Sequence, residues 1–185
     1  RGNKIERIST DSIPTDRSAT TTLIDGGRRT LMPGLIDMHW HTMMVRPTPA
    51  ALLMGDIGHL NLVAGAEASA TLLRGFTTVR DLGGSGVNVS LRNAVNKGMI
   101  VGPRIYTAGK SIATTGGHAD PTNGYRKNLM GDPGPADGVI NGADEARKAV
   151  RQRYKDGSDL IKITATAGVL SQAKDASGAQ FTDEE

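Results

Sequence analysis

Two histidines one residue apart, His39 and His41, close a short apolar run, Leu35-Ile36-Asp37-Met38-His39-Trp40-His41, that is launched by a turn at Pro33-Gly34. On a β-strand alternate side chains point the same way, so the two imidazoles share a face. Side by side at the end of a buried strand they would repel if charged and waste hydrogen bonds if left dry, and a divalent cation relieves both problems. Backbone carbonyls could also satisfy an isolated pair of this kind. Asp37 lies on the same face, where its carboxylate can either orient a ligand histidine or take an ordinary strand-start hydrogen bond. Trp40 points the other way, into core packing.

A second chemical position is Lys162, in Asp159-Leu160-Ile161-Lys162-Ile163-Thr164-Ala165-Thr166. Alternation places Leu160, Lys162 and Thr164 on one face and the two isoleucines on the other. If the isoleucines meet helices, Lys162 points inward, where burial favours its neutral amine. A neutral amine can add carbon dioxide to give an anionic carbamate with two ligand oxygens. Pairing with Asp159 or reaching to solvent is the plainer reading of the same lysine. A third position is His118, in the loop Thr114-Thr115-Gly116-Gly117-His118-Ala119-Asp120, where a hydrogen bond to Asp120 is the plain reading.

The elements that must position these residues alternate along the chain. A strand near 35–41 is followed by the proline-bearing segment Thr42–Pro49, read as a long loop, and by a helix over about His59–Arg74 that ends at Gly75. Phe76–Asp81 is a second strand, Val87–Lys97 a helix and Pro103–Ala108 a third strand. Ser111–Asn141 is long, glycine-rich and aperiodic, a loop of the kind that is usually functional or mobile. Gly142–Tyr154 is an amphipathic helix with Ala146, Ala149, Val150 and Tyr154 inward, and residues 159–166 form a fourth strand. Strand and helix in alternation imply parallel strands joined by crossovers, in a barrel or an open doubly wound sheet. Lys4–Ser9 and Thr20–Asp25 lean toward β structure and suggest a small separate segment. Thr182-Asp183-Glu184-Glu185 is a capping box announcing a further helix.

The run Pro-Gly-Leu-Ile-Asp-x-His-x-His, with Thr77-Thr78-Val79-Arg80-Asp81, Gly116-Gly117-His118-Ala119-Asp120 and Ile161-Lys162-Ile163, resembles the amidohydrolase superfamily. Within it the chain is similar to the imidazolonepropionase-like and prolidase-like peptidases, which include Xaa-Arg/Lys carboxypeptidases and enzymes that hydrolyse the amide of ochratoxin. The resemblance implies an α/β protein of (β/α)8 TIM-barrel type with its first four βα units in residues 32–185, and residues 1–31 as part of a small β-sandwich domain. It also implies two divalent metal ions, most readily zinc, held by His39, His41 and a carbamate of carbon dioxide on Lys162, with His118 near the substrate. The activity implied is hydrolysis of a peptide or amide bond in a small molecule or dipeptide by metal-activated hydroxide, in a homo-oligomer. The general-base aspartate and the ligands of strands five, six and eight belong to residues beyond Glu185, so the reading is that of the N-terminal half of a barrel, whose C-terminal half is its first partner. A cyclic-amide hydrolase or deaminase of the same superfamily is the alternative within catalysis, and a non-catalytic barrel-fragment binding or assembly protein the alternative outside it.

Composition narrows the classes further. The chain has 185 residues, 37% hydrophobic and only 3% aromatic, with 24 glycines, a turn-rich globular profile. No window approaches the roughly 18 uninterrupted apolar residues that a membrane span needs. Net charge is +3, from 22 basic and 19 acidic residues, and the basic residues are scattered, which argues against nucleic acid. Cysteine is absent, so any metal must be held by nitrogen and oxygen and the compartment stays undetermined. Gly84-Ser85-Gly86 lacks the third glycine of a dinucleotide fingerprint, and neither a P-loop nor a nucleophile elbow is present. Asn88-Val89-Ser90 matches a glycosylation sequon but falls inside a helix. Met43, Met44 and Met54 suit either an apolar pocket or the core.

Overall fold

The structure is a computed structural model that describes residues 3–14, 18, 20–168 and 177–185. By its contacts the chain divides into residues Arg1–Pro33 and Gly34–Glu185. In the first unit the described residues form no strand; Lys4–Ser9 and Thr20–Asp25 carry no ladder, and Ile5, Ile8, Leu23 and Ile24 are exposed. The β segment expected there finds no pairing partner among the described residues of the unit, and a run without a partner strand gains none of the hydrogen bonds that define a sheet.

The second unit is built on a parallel sheet. Strand β1 (Leu35–Trp40) pairs with β2 (Phe76–Asp81), which pairs with β3 (Arg104–Thr107), in the order β1-β2-β3. Thr42–Met44 is a short 3₁₀ turn, α1 spans Pro49–Met54, and α2 (Ile57–Leu73) carries the chain from β1 to β2. Helix α3 (Val87–Asn96) joins β2 to β3. Parallel strands require such crossovers, and the alternation anticipated from the sequence is present through β3.

Between β3 and the last helix lie β4 (Ala113–Thr114), α4 (Lys127–Met130) and β5 (Val139–Ile140), with β4 and β5 paired in parallel. Helix α5 covers Ala143–Asp156. Two segments read as loops therefore carry structure. Thr42–Pro49 holds the 3₁₀ turn and, at its last residue, the start of α1, where proline takes the first helical position and the Thr48 hydroxyl accepts from the Ala51 amide at 3.2 Å. In Ser111–Asn141 the paired strands are only two residues long, too short to leave a periodic trace.

Residues 159–166 do not form a ladder. They make a single parallel bridge, Ile163 to Ile112, flanked by Ile112 N–H to the Lys162 carbonyl at 2.7 Å and Thr164 N–H to the Ile112 carbonyl at 3.0 Å. The Asp159 amide donates to the Thr107 carbonyl at 2.8 Å, which aligns this segment beside β3. The reason for the shortfall is the partner: β3 ends at Thr107, and beyond it only Ile112 offers a pairing edge. Alternation nevertheless holds, with Thr164 buried and Lys162 half-buried, while Ile161 and Ile163 are 41% and 51% exposed. The isoleucines face away from the lysine as anticipated, but no helix among the described residues covers them.

The main core lies between sheet and helices: Val79 and Ile105 from the strands, Leu60, Ala64 and Ala68 from α2, and Val87 and Leu91 from α3, with Trp40 packed against them. Met43 joins this core at 2% exposure, whereas Met44 and Met54 are exposed. On α5 the inward face differs from the one anticipated. Ala149 and Arg153 are buried while Val150 is 42% and Tyr154 86% exposed. Arg153 turns inward because loop carbonyls await it: its guanidinium donates to the Ala136 carbonyl at 2.6 Å and the Lys110 carbonyl at 3.4 Å, tying the loop of residues 110–138 to the helix. Charge placement supports α5 along its axis, with Asp144 and Glu145 in the first turn and Arg153 and Lys155 in the last, before Gly157 adopts φ +86° to end it. At Thr182 half of the capping box is formed: the Glu185 carboxylate accepts from the Thr182 amide at 2.9 Å and hydroxyl at 3.2 Å.

Candidate metal and substrate site

Strand β1 delivers the two histidines through an irregular end. Its register against β2 slips between Asp37 and Trp40. The His39 amide leaves the ladder for the Asp37 carboxylate at 2.9 Å, and the Met38 carbonyl is taken by the Arg80 guanidinium at 2.7 Å. Bulges of this kind re-aim side chains near functional sites. Asp37 thus makes the strand-start hydrogen bond to a backbone amide. The His39 and His41 rings lie with centroids 5.3 Å apart in an edge-to-face arrangement at 61°.

Each ring has a distinct environment. His41 Nδ1 is 2.9 Å from the Gly83 carbonyl. A carbonyl only accepts, so Nδ1 carries the proton and the Nε2 lone pair is left available. His39 is more open, and its pKa is held below the ordinary 6.5 first by burial, then by the positive charges of Lys162, His41 and Arg80, against an upward pull from Asp37. A neutral imidazole is the form that ligates metal.

His118 stands on the loop after β4. Its pKa is lowered by burial and by the charges of Lys162 and His41, which puts it within electrostatic reach of those two, as His39 is. Lys162 makes no ion pair among the described residues: Asp159, the partner that the plain reading assigned it, is engaged by Arg92 at 2.7 Å and by the Thr107 amide at 2.9 Å. His118 likewise is not bonded to Asp120. That carboxylate turns to the Gly116 amide and to the Thr122 amide and hydroxyl, at 2.7 to 2.9 Å; burial raises its pKa, but these bonds outweigh it and hold it below the usual value. The His118 amide instead donates to the Gln180 side-chain carbonyl at 2.8 Å, and the Gln180 amide donates to the Ala165 carbonyl at 2.8 Å. The His118 Nδ1 atom is buried with no hydrogen-bond partner.

Asp81 stands behind the histidines rather than among them. It is wholly buried and accepts from the Thr42 amide at 3.1 Å, the Thr42 hydroxyl at 2.7 Å, the Gly83 amide at 3.4 Å and the Asn88 side-chain amide at 3.2 Å. It bonds loop amides and not Arg80. Asn88 also donates to the Gly109 carbonyl at 3.1 Å, which buries the sequon asparagine. His59 is exposed, with its amide capped by Asp56 at 2.9 Å, a helix-start residue and nothing more. Sequence reasoning did not find Gln180, whose only signal is tertiary, nor Arg153. For Asp81, an acid ending a β-branched strand, pairing with Arg80 or with a loop amide was the expectation, and it is the loop amides that it bonds.

Does this donor set suit a metal? No group of three or more His, Asp or Glu among the described residues is placed to hold an ion. Two imidazoles, one with a free Nε2, beside an unpaired lysine amine do suit a zinc-type ion once the lysine becomes an anionic oxygen donor. A cleft of about 640 Å³ elsewhere is lined by Arg92, Asn96, Arg104, Tyr106 and Asp159, and not by His39, His41, His118 or Lys162.

Residues 30–185 match the profile of the amidohydrolase family. The chain belongs to that family. It is 33% identical over 180 residues, 84% of its length, to ochratoxinase of Aspergillus niger, of which it covers 35%. Among solved structures it is similar to a Xaa-Pro dipeptidase with bound methionine in the active site, at 49% identity and TM-score 0.75, over 82% of this chain and 38% of that one. It is also similar to a prolidase complexed with N-methylphosphonate-L-proline, at 31% identity and TM-score 0.72, over 83% and 38%. The amidohydrolase chain thus spans a little over a third of the length of these relatives. Its fold class is that of their TIM barrels, and the β1-β2-β3 wall is part of one.

Proposed function

We propose that this chain forms part of a metal-dependent hydrolase that cleaves an amide or peptide bond next to a carboxylate, as in a dipeptide or an N-acyl amino acid. The observation that carries the reading is the convergence of His39, His41, His118 and Lys162. His39 and His41 would hold the metal through neutral imidazoles, the Gly83 carbonyl fixing the His41 tautomer. Lys162, carboxylated by carbon dioxide, would replace a positive charge beside His39 with a negative one, turning mutual repulsion into shared ligation. When bound, divalent ions supply Lewis acidity toward the scissile carbonyl and a source of hydroxide at neutral pH.

His118 would bind the substrate. Its backbone is anchored by Gln180, and its ring makes no hydrogen bond through Nδ1, so turning the ring toward a substrate carbonyl or carboxylate would break no bond at that atom. The relatives support this substrate class: one hydrolyses ochratoxin, and two are Xaa-Pro dipeptidase or prolidase structures.

The test is an assay of the full-length enzyme, metal-loaded, on Xaa-Pro dipeptides, N-acyl amino acids, ochratoxin and cyclic amides such as hydantoins. Turnover of linear amides that falls with His39→Ala, together with loss of bound zinc, is the expected result. Preferential turnover of the cyclic amides would replace the substrate reading, and unchanged metal content in the variant would overturn the ligand assignment.

A further inference from the structure

We infer that Asp81 is the positioning residue of the His41 ligand, acting on both its ring and its peptide from behind the sheet. This deepens the metal-site reading above and rests on the ligand role proposed there for His41.

Asp81 shares the face of Val79 on β2, the face that packs on helices, so its carboxylate does not point at substrate. Its four donors come from three segments. One oxygen takes both the amide and the hydroxyl of Thr42, the residue after His41. The other takes the Gly83 amide, and it is the Gly83 carbonyl that accepts from His41 Nδ1. It also takes the Asn88 amide, whose second bond goes to the Gly109 carbonyl, the same carbonyl that accepts from the Gly84 amide at 3.0 Å. The peptide leaving His41, and the amide of the residue whose carbonyl orients its ring, are therefore held by opposite oxygens of one side chain. There is no slack on the Gly83 side, because a side chain there would collide with the Ser111 hydroxyl, which itself donates to the Leu82 carbonyl at 2.9 Å.

A buried carboxylate with four neutral donors and no cation among its hydrogen-bond partners is a costly way to hold a fold together. It is well suited to hold an imidazole in one tautomer and one direction, because each bond is charge-assisted and directional. Hydrogen-bond partners of metal ligands commonly set metal affinity in this way.

The experiment compares Asp81→Asn with Glu67→Gln in the full-length protein. Glu67 is equally buried but bonded to Arg46 and Arg74 on the outer helix layer, and so reports destabilisation alone. Zinc affinity by chelator competition is measured for each variant under conditions matched for fraction folded. Asp81→Asn is expected to weaken zinc by about 10- to 100-fold and Glu67→Gln to leave it unchanged. Equal weakening in both, or a fall in Tm with unchanged affinity in Asp81→Asn, would overturn the inference. If Asp81→Asn does not fold, Thr42→Val removes one donor alone and is expected to give a smaller loss of affinity; unchanged affinity there counts against it. Nitrogen NMR of the His41 ring in metal-free protein separates this from the metal reading: wild type should hold the proton on Nδ1 and Asp81→Asn should exchange it between nitrogens. A ring indifferent to the substitution overturns the positioning role, whereas zinc unaffected by His41→Ala overturns only the ligand assignment.

Discussion

Lys162 bears on His39 and on His118 together: after burial, its positive charge is the largest influence holding each imidazole below the ordinary histidine range. Carboxylation reverses the sign. Lys162→Arg keeps the positive charge and cannot form a carbamate, so it should lose bound metal and drop kcat/KM by at least about 100-fold, the upper end of what losing a mere second-layer partner costs. Lys162→Gln should behave alike although it removes the charge. Native mass spectrometry of wild type should show an adduct of one carbon dioxide that is lost on acidification. An enzyme whose metal content and kcat/KM survive Lys162→Arg would exclude the carbamate.

How far this was legible differs by element. β2 and α3 were read nearly to the residue, because both are short, strongly patterned and bounded by glycine. His39 and His41 were legible because strand alternation is a local rule. The partners that decide their chemistry were not: Gly83, Asp81 and Gln180 lie 39 to 62 positions from the residues they hold, and no local pattern encodes such pairings. Residues 159–166 failed as a strand for the related reason that strand formation depends on the neighbour's length. Arg153 failed because a helical period counts apolar residues, and here a guanidinium fills the inward position with its own carbonyl partners.

Metal retention should persist into acid further than a free imidazole would allow. Protons compete with metal for each ligand nitrogen, and the His39 pKa lies below 6.5, chiefly through burial. Its imidazole is therefore still neutral where an ordinary histidine is half protonated. Dialysis at stepped pH with metal analysis should place the midpoint of release below pH 6.5, the ordinary value. Release centred at or above that value would mean that protonation of His39 does not set the acid limit of metal retention.

Glu67 makes a separate prediction about stability. Burial pushes its pKa up, but bonds to Arg74 and Arg46 outweigh this and hold it below 4.5. A carboxylate depressed in the folded state adds stability that is present above the unfolded value near 4.5 and is lost as pH falls through the folded value. Arg46 and Arg74 are 57% and 48% exposed, so solvent screens the pairs and the loss falls short of that of a fully buried bridge. Glu67→Gln should cost about 1–2 kcal/mol at neutral pH and progressively less below the unfolded value. Urea titrations at the two ends of that window check it; a cost independent of pH would mean that the charge contributes nothing.

Gly168 sets where the His118 ring can lie. A methyl at Gly168 would stand 2.6 Å from Nε2 and from Cε1 of His118 and 3.2 Å from Cδ2, closer than atoms approach without one of them moving. The ring is the part expected to swing, since the His118 backbone is fixed by the Gln180 side chain at 2.8 Å and the Gly117 carbonyl by Asn123 at 2.7 Å. Misplacing a substrate-binding group by about 1 Å can cost on the order of 100-fold in rate. Gly168→Ala should therefore lower kcat/KM by about 10- to 100-fold while leaving stability within about 0.5 kcal/mol, as for a surface substitution. His118→Ala should lower kcat/KM in the same direction without the steric effect, and combining the two should add little, because both act on one ring. Additive losses in the double variant would place the effect of Gly168 elsewhere than on His118.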